Sequence, residues 1–479
     1  MFETSILLLL KALIINIIIP IITGILFIYL FFGTKFRGII LYIISFFIGT
    51  GVIAFSLFNL QFIYFGIGIL EYLLLNIFLL LALIIKIFYK KQNFGNYIQA
   101  LKISYENINL NEINLSQKLV VIFGSIFVVI SSIISFLYVA NFPSYADDAF
   151  GNWHIPVLNI YEDSGVKIFG DKSEILGKGR LGYPIFIPIY KVIIADFFGG
   201  INDIYINLWQ YLSFILFLIF VFYISIEKTK NPFYSILPLI LILGLPLVFF
   251  HSVEGYLDLA CAIYSVFSIY FLYLFLEKKD YDYLSMGLLF GFILSSIKND
   301  GLVVYFAGII IAFIIILVLK KEFKKIVLNS IKEKTMIIKS GFFALWFLIP
   351  FIAIKSYYGL GYNQAAGEAA GVGVSDKIHS EIFSMFSPIF LKMDNFNLAL
   401  IFIAIIGYIV LKNIKKNIEN NNLFIILSAV MIFLVLIAVF LFTENYLWVM
   451  NQTTVNRVFT MVFIILFAFT GFLLHEKKD

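Results

Sequence analysis

Arginine is nearly missing from this chain of 479 residues: Arg37, Arg180 and Arg457 are all it has. Cysteine is scarcer still. The single Cys261 excludes an intramolecular disulfide framework and any cysteine-rich metal site, and its place in an apolar run reads as a buried thiol. Of the four histidines, His154, His251, His379 and His475, none stands at metal-ligand spacing from another. Charge is thin overall, at 13% of residues, while 62% are hydrophobic and the mean hydropathy is +1.01. A soluble chain could not hide that much apolar surface, whereas a bilayer has no need to hide it. The net charge of +5 is no nucleic-acid footprint, because the lysines gather at the ends of apolar runs. Neither a phosphate-cradling glycine loop nor a nucleotide fingerprint occurs. The first apolar run is too long for a cleavable signal and lacks a basic start and a small-residue cleavage site.

What is present is an all-α polytopic membrane pattern. A spanning helix needs about 20 apolar residues. Thirteen runs qualify: 6–32, 38–58, 62–88, 119–140, 206–226, 234–251, 256–278, 284–298, 302–320, 336–357, 398–412, 423–443 and 457–474. Those at 284–298 and 398–412 are the shortest. Connections alternate between lysine-rich and lysine-poor through all thirteen. The positive-inside bias then puts the N-terminus outside, the C-terminus in the cytoplasm and nearly all unusual polar residues on the outer face of a cell membrane. The polar, Asn-rich segment 91–118 reads as a cytoplasmic connection with some amphipathic helix. It divides three N-terminal helices (1–118) from a body beginning near residue 119.

The first large outer loop, 141–205, carries most of the candidate chemistry. Asp147 and Asp148 lie just past the fourth run. If the chain there is helical, Asp148 and Asn152 share a face and Asp147 points elsewhere. A carboxylate in a membrane-facing cleft can take a proton from a hydroxyl, its pKa raised by partial desolvation. Asp147 could instead hold a divalent cation, magnesium or manganese, with substrate phosphate oxygens. A solvated acidic pair at a helix start is the plainer reading of both. Trp153 reads first as a membrane-belt anchor and His154 as a polar interfacial side chain, with substrate contact as the alternative for each. The run 177–200, with Arg180, Tyr183 and Pro184, is too broken to span. Lys191 and Asp196 would be costly in lipid, so it is expected as an interfacial helix against the outer leaflet.

Other candidates lie beyond the loop. Glu254 and Asp258 would sit one turn apart at a helix mouth. Lys298-Asn299-Asp300-Gly301 is an outward turn whose lysine invites a phosphate or simply pairs with Asp300. Arg180 and Arg457 suit bidentate phosphate contact, or interfacial snorkelling. The Gly/Ala-rich loop 358–397 is either a lid or a plain connection.

Together the stretches ADDAFGNWHIPVLNIYEDSGVKIF, YPIFIPIYKV, GYLDL and SSIKNDGLVV resemble those of polyprenyl-phosphate-sugar-dependent membrane glycosyltransferases of the GT-C fold. That group includes protein mannosyltransferases and lipid A aminoarabinose transferases. The resemblance covers roughly 119–360, with 361–479 as a variable C-terminal part. It implies a sugar carried outside on polyprenyl phosphate and transferred, with inversion, to a hydroxyl of a lipid, glycan or protein. Asp148 or Asp147 would be the base, and Lys298, Arg180 and Arg457 would neutralise the leaving phosphate. Asn152, Trp153, His154, Tyr183, Glu254, Asp258, Asn299 and Asp300 would line the substrate site. The His-Pro pair that some members carry after the acidic loop is replaced here by Tyr183-Pro184. The competing readings are a flippase or transporter for lipid-linked glycans, a surface-glycan polymerase or ligase, and an assembly subunit. A transporter would show ionisable residues in mid-span and an internal repeat.

Overall fold

The structure, a computed structural model, describes residues 6–63, 66–102, 113–144, 149–171, 174–178, 182–360, 377–391, 400, 403–404, 407–408, 421–451 and 455–475. Asp147, Asp148, Arg180 and the Gly/Ala-rich stretch 361–376 lie outside them. The described residues form helices and their connections. Eight helices are long and apolar enough to cross a membrane, and two bent pairs bring the total to ten if each pair is one span.

The chain opens with α1 (Ile6–Phe32), α2 (Gly38–Leu60) and α3 (Ile69–Tyr89). α1 contains Pro20, which has no N–H to give to the Asn16 carbonyl one turn back. The Tyr190 hydroxyl fills that place, donating to Asn16 O at 3.2 Å. α1 and α2 touch through their backbones. A Cβ on Gly24 would overlap the Ser45 carbonyl oxygen, and one on Gly49 the Pro20 carbonyl oxygen. Small residues of this kind let helices approach closely where lipid provides no hydrophobic drive.

α4 (Leu115–Asn141) starts at a capping box. Asn114 accepts from the Gln117 N–H while the Gln117 side chain reaches back to the Asn114 N–H. Most of α4 is exposed apolar surface, suited to lipid. Past it the chain turns back into the protein as a π-helical turn (Phe150–His154), α5 (Ile155–Glu162) and α6 (Phe186–Phe197). Here the expected interfacial helix is corrected. Every residue of α6 from Phe186 to Ala195 is buried, packed among α2, α5 and α7 (Asp203–Thr229). A helix apolar all round belongs inside the protein. Its two charges find protein partners. Lys191 Nζ donates to Asn207 Oδ1 at 2.7 Å, and Asp196 Oδ2 accepts from the Ile69 N–H at 2.7 Å, at the start of α3.

The run expected as one span over 234–251 is α8 (Pro232–Leu243) and α9 (Pro246–Val253), bent by 79°. α10 (Asp258–Lys278) is buried almost throughout and packs on α11 (Tyr281–Leu294). A second π-helical turn (Gly301–Phe306) leads into α12 (Ala307–Leu319). The expected span 336–357 is α13 (Lys334–Phe347) and α14 (Ile349–Tyr358), bent by 41°. Pro246 and Pro350 each sit in the first turn of the second half, where a missing N–H is harmless but the preceding helix cannot continue straight. α15 (Asn422–Phe442) and α16 (Val455–Ala468) close the bundle. Thus α11 and α16 are short, 398–412 lies mostly outside the described residues, and eight to ten spans are long and apolar enough among the described residues, where thirteen were expected for the whole chain.

The two ends of the bundle differ. At one end Lys35 pairs with Asp280 and Asp282, Lys339 with Asp282, Lys228 with Glu277 and Lys279 with Glu322, mostly part-exposed. The starts of α7, α10 and α16 lie at the other end, where charge is buried.

Candidate functional site

The segment Glu254-Gly-Tyr-Leu-Asp258, between α9 and α10, is the spine of this second end. α9 stops at Val253 and α10 starts at Asp258, so Glu254 and Asp258 are not neighbours on one helix turn as expected. Gln210 of α7 pins the segment, donating to the carbonyls of His251 and Tyr256, each at 2.8 Å. Its residues then serve different neighbours.

Asp258 is a hub. Its Oδ1 takes Lys298 Nζ at 2.8 Å, and Arg457 Nε lies 3.4 Å from its Oδ2. Lys298 also reaches Asp300 at 3.0 Å, so the pairing with Asp300 seen in the sequence is present and is shared. The Arg457 guanidinium lies over the Tyr256 ring, 4.7 Å from its centroid. Asp258 and Lys298 are almost fully buried. Burial alone would lower the Lys298 pKa, but the carboxylates of Asp258 and Asp300 outweigh it and hold the ammonium above the ordinary lysine value. Two cations and two carboxylates balance in charge, as burial demands. His251 is fully buried beside them.

Glu254, also buried, faces the other way. It accepts from Tyr138 Oη at 3.2 Å and from Ser144 Oγ at 2.9 Å. Ser144 and Ala149 flank the stretch that contains Asp147 and Asp148. A Cβ on Gly255 would meet both at 3.4 Å and Lys191 Nζ at 3.7 Å. Nearby, His154 Nε2 lies 3.2 Å from Asp203 Oδ1. Burial lowers the His154 pKa, Lys191 adds to that, and Asp203 opposes it. The ring is buried and faces Asp203 inside the protein, so His154 is not an interfacial side chain. Asn152 is buried as well, and Trp153 is no membrane-belt anchor. It is buried edge-on against Tyr183, centroids 5.3 Å apart.

Lys191 has no carboxylate within ion-pair reach among the described residues. Burial pushes its ammonium down to about 8, against the pull of Asp203. The unfolded chain keeps that proton up to about pH 10.4. Between these values the unfolded state binds more protons, so stability rises with pH; below the lower one the contribution is flat and at its least favourable. Detergent-solubilised wild type should therefore gain stability over Lys191→Met between pH 8 and about 10.4, by a few kcal/mol. Denaturation curves that stay parallel for the two proteins across that range would rule this out.

Asn299 links the hub to a groove. Its Nδ2 donates to Gly182 O at 2.8 Å, holding the loop beside Tyr183, and its Oδ1 accepts from Lys355 Nζ at 3.0 Å. The groove has a volume of about 390 Å³, with Lys355, Asn299 and Ser356 on its polar side and Leu302, Val303 and Ile352 on its apolar side. Lys355 and Gln210 do not stand out in the sequence as site residues. The signal for Lys355 was an ionisable residue inside an apolar run.

The expected residues therefore come together as follows. Asp258, Lys298, Asp300 and Arg457 form one cluster, with Asn299 at its edge. Glu254, Asn152, Trp153, His154 and Tyr183 lie in the packed loop beside it. Asp147, Asp148 and Arg180 lie outside the described residues. No three metal-ligating side chains gather among the described residues, and the candidate cation ligand Asp147 is not one of these. No family model, no curated protein and no solved structure matches the chain.

Proposed function

We propose that this protein is a membrane glycosyltransferase that moves a sugar from polyprenyl phosphate to an acceptor hydroxyl on the extracytoplasmic side. One observation carries the reading. Buried cations, the flanks of an acidic pair and a half-apolar groove open at its rim all meet at one end of the bundle. That is the set of parts the reaction needs. Asp148, or Asp147, takes the hydroxyl proton while the oxygen attacks the anomeric carbon. The bond from that carbon to the phosphate oxygen breaks on the opposite face, and the leaving phosphate keeps the electron pair. Lys298 and Arg457, converging on Asp258, supply positive charge near that phosphate, with Arg180 as a third candidate. A divalent cation held by Asp147 would add charge at the same place. The lysine-poor connections belong to this end of the helices, which supports the outward orientation.

The test is mass spectrometry of envelope glycans and lipid-linked sugars in a deletion strain. The strain is complemented with wild type, Asp148→Asn or Asp147→Asn at equal membrane abundance. The deletion should lack one sugar, and the variant lacking the base should fail to restore it, with turnover down by roughly 10²–10⁴-fold. Full restoration by both variants would exclude carboxylate-assisted transfer and favour a flippase or assembly subunit.

A further inference from the structure

The groove between the Ser295–Val303 region and α14 combines two features seldom found together. Its apolar rim is exposed: Val303 and Ile352 point outward from segments apolar enough to span the bilayer. In a membrane such residues face acyl chains, so the groove is open sideways to lipid. Its polar side holds Lys355, which has no carboxylate in ion-pair reach among the described residues. The contacts of Lys355 are the neutral Asn299 Oδ1 at 3.0 Å and the face of the Phe351 ring at 5.7 Å. Lys298 and Arg457 belong to the neighbouring cluster with Asp258 and Asp300 and do not line the groove, so Lys355 is the cation on its wall. Ser356, exposed on the same wall, adds a hydroxyl donor. The hydroxyls of Ser295 and Ser296 donate to the carbonyls of Gly291 and Phe347 and so are not available as donors.

A half-buried ammonium facing lipid without a counter-charge is costly unless a ligand provides one. We infer that this groove is the lateral entry site for a phosphate-headed lipid, with Lys355 as the counter-ion of the phosphate and the Leu302–Val303–Ile352 wall against the first part of the chain. The identity of that lipid as an isoprenoid phosphate rests on the function proposed above. The site itself rests on the groove and its charge. Asn299 then sits between the head group and the loop at Gly182, so the lipid is received next to the loop that carries the acidic pair.

The test uses the full chain in nanodiscs of neutral phosphatidylcholine, with farnesyl phosphate as the probe and native mass spectrometry as the readout. Farnesyl phosphate should bind to wild type and to Lys355→Arg. Lys355→Met should bind at least about tenfold more weakly, the loss of one charge-assisted contact. Farnesol and inorganic phosphate should each fail to compete, because one lacks the charge and the other the chain. Equal thermal melting of the Lys355 variants keeps a folding defect from imitating the result. Equal binding by Lys355→Met and wild type would overturn the site, as would competition by inorganic phosphate as effective as that by farnesyl phosphate itself. Lys355-dependent binding in a protein whose deletion removes no sugar would keep the lipid site and overturn the transferase. Loss of the sugar in Asp148→Asn without Lys355-dependent binding would do the reverse.

Discussion

Asp258→Ala should cost about 3–5 kcal/mol of stability, the range for breaking a buried ion pair by removing one partner. The expectation follows from what the carboxylate joins. It opens α10 and holds Lys298, which follows α11, and Arg457, which opens α16. Removing it leaves two cations facing each other, with Asp300 still beside Lys298. Coulomb repulsion and lost solvation then act together. The triple variant Asp258→Leu/Lys298→Met/Arg457→Met should recover most of the loss, because no ion is left to desolvate and the new side chains fill similar volume. Denaturation in detergent micelles measures both. A single variant within about 1 kcal/mol of wild type would mean that the cluster is hydrated and that the three segments are held together by packing alone.

Gly24→Leu and Gly49→Leu should each destabilise by at least about 3 kcal/mol and lower the amount of folded protein in the membrane. Overpacking is usually relieved by side chains that shift. Here the obstacles are the carbonyl groups of Ser45 and Pro20, and carbonyls inside helices cannot move alone. The helices themselves must separate, and α2 is buried against α6, α7 and α13 as well as α1. Gly341→Ala is the matched control, since nothing lies within 4 Å of a Cβ there and the site is in an exposed part of α13. It should be neutral or stabilising by about 0.5–1 kcal/mol. Folded yields from fluorescence-detected size exclusion would compare the three. Normal yields for the leucine variants would show that α1 and α2 do not cross as described.

The apolar runs announced the helices because hydrocarbon selects for composition, and composition is local. Bends were less legible. Pro246 and Pro350 mark where a helix must stop, but the turn of 79° at Gly244–Leu245 depends on what α8 and α9 pack against. The run 177–200 shows a deeper limit. Lys191 and Asp196 were correctly unwelcome in lipid, yet their partners are Asn207 and the Ile69 N–H, the second 127 residues away. Sequence distance hides such partners, so an internal helix looked interfacial. The same holds for the hub. Asp258, Lys298 and Arg457 each stood out alone as a charge in the wrong place, but their meeting is a property of three helix ends in space. Lys355 was concealed by its surroundings, being one charge near the end of a run that otherwise qualified as a span.

The burial of Cys261 has a use beyond packing. Its thiol lies inside α10 with no exposed surface, and the chain has no other. A maleimide reagent that cannot cross the bilayer therefore meets an unreactive background in the native protein. A cysteine introduced at Tyr357, near the groove, or at Phe323, near the lysine-rich end, would be the sole target in its own variant. Labelling of intact cells then reads the sidedness of each end directly, without stripping native thiols first.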